Sequence, residues 1–242
     1  MTMQHRTSTS SKMYSPRSEA VNLQEKSKST PGDQEALNAK EVHDNMCAWV
    51  IQKIKGWRKK GKLSEGIYSD LWDGMIVELA AELDRSQTEI IREFSRGGIT
   101  KENFYEKSTF SATQLEGDAK ALYDELHKTY QLYFDKSNEE MLSEISRLRK
   151  AWSGRVSETT LSGVFGVAES SFTFWRASVE DLYGDDIDEL SDPCRRKIGM
   201  EVGLSDLTGA LVGGIFGGIV GATVNGVRAS LVSAVSNAAN PC

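Results

Sequence analysis

Three histidines (His5, His43, His127) and three cysteines (Cys47, Cys194, Cys242) are the residues of this chain best suited to nucleophilic or metal chemistry. Only His43 and Cys47 stand four apart, the spacing that puts two side chains on one helix face. Two ligands do not make a metal site, and no CxxC or Cys/His zinc spacing occurs, so no metal is expected. The cysteines are odd in number and far apart, which predicts free thiols in a reducing compartment. The densest acidic run, residues 180–192, has the composition of a calcium loop but not its pattern. Counted from Asp186, its sixth position is Ser191 and its twelfth Lys197, where glycine and glutamate are required. It reads instead as a solvated linker over 184–194. Gly221 and Gly226 have the gap of a phosphate loop, but Val227 and Arg228 replace its Lys-Ser/Thr pair. GxSxG and HExxH are absent from the sequence. No catalytic residue, cofactor or small-molecule substrate is singled out, and a non-enzymatic protein is expected.

The strongest pattern lies elsewhere. Residues 207–227, LTGALVGGIFGGIVGATVNGV, carry no charge. Gly209, Gly213, Gly217 and Gly221 recur every four residues, and Gly214, Gly218 and Gly226 form a second row beside them. On a helix this makes one backbone-bare face beside one bulky face, a glycine zipper that admits another helix closely. Each glycine costs about 0.8–1 kcal/mol relative to alanine inside a helix. Close packing or an apolar medium must offset that. As one helix the segment spans roughly 31 Å, close to bilayer hydrocarbon thickness. Against a crossing stand Asn225 and the lack of a flanking Trp or Tyr belt.

These residues need a scaffold, and the periodicity supplies helices only. Residues 1–32 are rich in Ser, Thr, Lys and Gln and are expected to be a disordered tail. A helical body follows over 33–183. Its first helix, capped by Asp33, puts Leu37, Val42, Met46, Trp49, Val50, Ile54 and Trp57 on one side and ends in a basic run. A single second helix is expected from Ser69 to Phe94. Ser111 with Gln114, and Ser137 with Glu140, resemble capping boxes opening two more. Leu161, Phe165, Ala168, Phe172, Trp175, Val179 and Leu182 follow a 4-3 alternation, a heptad seam for a tightly packed partner. The fold class is therefore all-α: a helical bundle with a C-terminal, basic-flanked zipper helix over 195–242.

The motif GVAESSFTFW (166–175) together with the zipper tail resembles uncharacterised bacterial proteins that pair a Ser-Ser-aromatic-x-Trp helix with such a tail. The tail alone is similar to glycine-zipper segments of membrane-active peptides such as bacteriocins. The tail's likeness implies self-assembly in a membrane, and the uncharacterised proteins bring no established activity. The resemblance covers about residues 160–240.

The expected partner is thus a membrane, with self-association through Gly209, Gly213, Gly214, Gly217, Gly218 and Gly221. Trp49, Trp57, Lys59, Lys60, Arg195, Arg196 and Lys197 are candidate membrane-surface residues. Net charge of −6 argues against nucleic acid. No signal peptide opens the chain, so a membrane-associated or cytoplasmic location is expected. The alternative is a soluble all-α interaction module with the zipper helix buried in its bundle.

Overall fold

The computed structural model describes residues 31–61, 67–106, 115–183, 190–239 and 242. Among them are seven helices and no strand: α1 (Pro31–Arg58), α2 (Ile67–Glu82), α3 (Gln87–Arg96), α4 (Gly117–Tyr133), α5 (Asn138–Trp152), α6 (Glu158–Tyr183) and α7 (Asp192–Ala239). The chain is all-α. Residues 1–30 of the expected tail and the Ser111–Gln114 capping box lie outside the described residues; Pro31 and Gly32 already belong to α1, so Asp33 lies inside that helix and is not its cap.

Helix α6 is the axle. Every residue of its heptad seam, from Leu161 to Leu182, is buried, and the intervening Gly163, Gly166, Ser170 and Ser171 are buried too. Small residues let neighbours approach at backbone distance. A Cβ on Gly166 would meet the Ala36 carbonyl and, at 2.9 Å, the Ala39 side chain. Helix α1 thus lies along α6, and Arg58 still reaches the Leu182 carbonyl at its far end (2.9 Å).

The long C-terminal helix departs from the sequence expectation. It does not run straight through residues 207–227: Gly218 adopts φ 59°, ψ −138°, and the chain reverses there. A positive φ of this kind is open to glycine at little cost. The result is a hairpin of two arms, 192–217 and 219–239, whose backbones touch. A Cβ on Gly213 would collide with the Gly221 carbonyl, and one on Gly209 with that of Asn225. Gly214 instead faces Thr160 and Val164 of α6, and Gly217 faces Glu93 of α3. The periodicity was legible as close contact, but the partner is the same helix folded back.

The reversal also corrects the reading of the cysteines. Cys194 and Cys242, 48 residues apart, form a disulfide with a Cα–Cα distance of 5.8 Å. The hairpin returns the chain's end to the start of its first arm, which no linear spacing could reveal. Cys47 is a buried free thiol.

A second departure is local. The helix expected over residues 69–94 is two, because Ser86 and Glu89 form a capping box that starts α3. Asp84 turns the chain before it with φ 48°. The anticipated box at Ser137 and Glu140 does open α5. Around this frame, Trp72 packs at a tilt against Phe94 and Phe104 on the α2–α3 side. Tyr130 of α4 lies flat on Phe172 at 4.0 Å and donates to the Gly199 carbonyl (3.0 Å).

Candidate functional site

Where α1, α6 and both hairpin arms meet, the apolar core holds a knot of polar side chains. Helix α1 brings His43, Asp44 and Cys47; α6 brings Ser170, Ser171 and Trp175; the arms bring Asp206 and Ser230. His43, Cys47, Ser170, Ser171, Trp175 and Asp206 are 0% exposed. One carboxylate oxygen organises the knot. Asp206 Oδ2 accepts from the Ser171 hydroxyl and from Trp175 Nε1 (2.9 Å), and faces His43 Nε2 at 3.3 Å. Trp175 Nε1 also donates to Ser230 Oγ (3.0 Å), which lies 3.4 Å from Cys47 Sγ. On the opposite edge of the imidazole, His43 Nδ1 is 2.6 Å from Ser170 Oγ, and the Ser170 hydroxyl donates to Asp44 Oδ1 (2.5 Å).

Charge follows from these contacts. Burial by itself disfavours a protonated His43, but the Cys47 sulfur and the Asp206 carboxylate favour it, and the balance lifts its pKa well above the ordinary imidazole value. For Cys47 burial dominates and pushes the thiol up, with His43 pulling the other way. Cys47 and Asp206 together sustain the His43 charge against burial.

Ser170, His43 and Asp206 have the composition of an acid–base relay. Each is sealed from solvent, and neither of the two clefts described next is lined by any of them. Among the described residues no three His, Cys, Asp or Glu side chains are placed to hold a metal ion.

One cleft, about 360 Å³, opens between α4 and the two arms, with Tyr123, His127, Glu201 and Arg228 on its walls. Arg228 is 1% exposed and donates to the Glu106 carbonyl (2.7 Å). The other, about 490 Å³, lies at the hairpin apex beside Arg96, Leu115, Glu116, Ala119 and Val212. There Ile215 and Phe216 stand 47% and 60% exposed, although they sit at the centre of the most apolar stretch of the chain.

The candidate membrane-surface residues gather at the other end. Arg58 bonds the Ala238 carbonyl (2.9 Å) near the arms' open end, which places neighbouring Trp57, Lys59 and Lys60 there. The Cys194–Cys242 disulfide places Arg195, Arg196 and Lys197 at that end too. Arg196 is paired with Asp135 (2.9 Å) and Lys197 with Glu201 (3.8 Å). Trp49 and Trp57 are half-buried against the core. The first arm, 26 residues long by its bounds, separates these cations from the apex by roughly 39 Å.

Sequence reasoning singled out His43, Cys47 and the Ser-Ser-aromatic motif, but not the knot that joins them. Asp206 and Ser230 were missed because each looks ordinary until the hairpin is closed. No protein-family model, curated protein or solved structure matches the chain.

Proposed function

We propose that the protein is a non-enzymatic, membrane-associating helical bundle that keeps its apolar hairpin folded inside and presents the apex first. The observation that carries this reading is the exposure of Ile215 and Phe216 at the tip of an uncharged hairpin otherwise largely buried. The most apolar 18-residue window of α7 has mean hydropathy 1.8, and 67% of it is buried.

Lengths set how far the docked hairpin can go. The reversal at Gly218 leaves uncharged legs of 207–217 and 219–227, roughly 16 and 14 Å long. Each covers about half of a 30 Å hydrocarbon layer. Asp206 and Arg228 close the two legs at the other end, and burying either in lipid is costly. The docked form therefore dips and anchors. Full crossing requires the arms to leave the bundle and to part from each other, which would free the faces of Gly209, Gly213 and Gly221 to pair between copies.

The test is to separate expressing cells into soluble and carbonate-washed membrane fractions and to float the purified chain with liposomes. Retention in both membranes and liposomes supports the proposal. Complete recovery in the soluble fraction with no flotation rejects it, and dye leakage separates a pore from an anchor. The second reading, a soluble interaction module with a permanently buried hairpin, draws on the polar knot that ties both arms to α1 and α6.

A further inference from the structure

The hydrogen-bond bookkeeping around His43 fixes its charge. The Ser170 hydroxyl has a single proton, and that proton goes to Asp44 Oδ1 at 2.5 Å. Toward His43, 2.6 Å away, Ser170 Oγ is then only an acceptor, so Nδ1 must carry hydrogen. On the other edge Nε2 faces Asp206 Oδ2 at 3.3 Å, an ion-pair contact that is attractive only when Nε2 carries hydrogen as well. An imidazole with hydrogen on both nitrogens is an imidazolium. We propose that this buried His43 cation is the latch of the hairpin: its proton ties Asp206 of the first arm to α1, and losing that proton unlocks the arms from the bundle.

Polar and titratable groups face His43 from each element packed against it. From α1 it faces Asp44 through Ser170, and Cys47, whose thiol burial pushes up. From α6 it meets the non-titrating Ser170, Ser171 and Trp175; the neighbouring Glu169 interacts with Lys40 and Arg149 instead. From α7 it faces Asp206, with Ser230 behind Cys47. Tyr130 of α4 senses Asp206 too, but burial raises its phenol, so it stays neutral longer. A neutral His43 keeps one N–H and so loses either Ser170 or Asp206, whose Oδ1 is already a buried acceptor without a hydrogen bond.

The sign follows from linkage. With the folded pKa raised, the latch is fully engaged below the unfolded value of about 6.5 and is lost as pH rises toward the folded value. Over that interval the opening equilibrium of the hairpin grows about tenfold per pH unit, then levels off. Alkali releases the hairpin and acid secures it. This rests on the proposed role for the hairpin as the membrane element, and it specifies what regulates it.

The experiment is hydrogen exchange across residues 207–235 of the full chain between pH 6 and pH 10, corrected for intrinsic rates, with imidazole ¹⁵N shifts recorded on the same samples. Both His43 nitrogens protonated at neutral pH, with protection falling as they titrate, is the expected result. Cys47→Ser removes one of the groups that raise His43 and should move the midpoint down while the step itself remains. Asp44→Ala, at a half-exposed site, removes the acceptor of the Ser170 proton, frees that proton for Nδ1 and should lower the midpoint. His43→Gln should abolish the step; if that variant does not fold, Asp44→Ala decides. A singly protonated His43 at neutral pH, a midpoint unmoved by Asp44→Ala, or a step that disappears in Cys47→Ser would overturn the latch. None of these readouts contains lipid, so liposome flotation can fail while the latch stands, and the reverse.

Discussion

Asp206 of the hairpin and His43 of α1 face each other at 3.3 Å with neither side chain exposed. The pair ties the most apolar stretch of the chain to the helices around it by charge as well as by packing. Removing one partner of a buried ion pair typically costs about 3–5 kcal/mol, because the other charge is stranded. Asp206→Ala should therefore lower unfolding free energy by about that amount. Asp206→Asn, which keeps the shape and an acceptor for Trp175 and Ser171, should cost less. Urea titrations of the two variants check the order. Equal losses would mean that volume, not charge, matters at this position.

The glycines are not equivalent, although their spacing makes them look so. Gly213 lies against the backbone of Gly221, which cannot yield, whereas a Cβ on Gly217 would meet only the end of the Glu93 side chain, at 2.5 Å. Gly213→Leu should destabilise by about 3 kcal/mol or more, at the upper end of overpacking effects. Gly217→Leu should change stability by less than about 1 kcal/mol, since a flexible carboxylate can swing aside and a helix-favouring residue replaces glycine. Thermal melts of both variants measure the difference. A four-residue zipper on a straight helix would treat them alike.

What the sequence made legible followed from periodicity. The all-α class, the buried face of α6 from Leu161 to Leu182 and the small-residue contact face of α7 can be read from spacing alone. The reversal at Gly218 could not. Seven glycines within residues 207–227 all tolerate positive φ, and nothing local says which one takes it. Everything that depends on the reversal was hidden with it: the Cys194–Cys242 disulfide, the convergence of Asp206 and Ser230, and the exposed apex. The break before α3 is different, because Ser86 and Glu89 carried the capping signal openly and the apolar spacing on either side obscured it.

The disulfide makes a separate demand on stability. Closing a loop of 48 residues restricts the unfolded chain by an amount worth about 4 kcal/mol in the chain-entropy model. Reduction, or Cys194→Ser with Cys242→Ser, should shift the urea midpoint downward without altering the helical signal in dilute buffer. A midpoint unchanged by dithiothreitol would show that the two sulfurs are not joined in solution.

The apex separates folding from function most cleanly. Phe216 is 60% exposed, so replacing it removes little buried surface. Phe216→Asp should leave the melting temperature within about a degree or two, because exposed substitutions usually change stability by less than 0.5 kcal/mol. Placing a carboxylate at the leading tip of a hairpin that enters hydrocarbon is another matter, costing about 2.5–3.5 kcal/mol at membrane depth. Liposome affinity should fall at least tenfold for apex-first association. Lys59→Glu with Lys60→Glu, at the opposite end, should have a smaller effect that disappears as salt is raised. If the reverse order is found, with the lysine variants losing binding and Phe216→Asp retaining it, the protein meets membranes through its basic end and the hairpin apex plays no part.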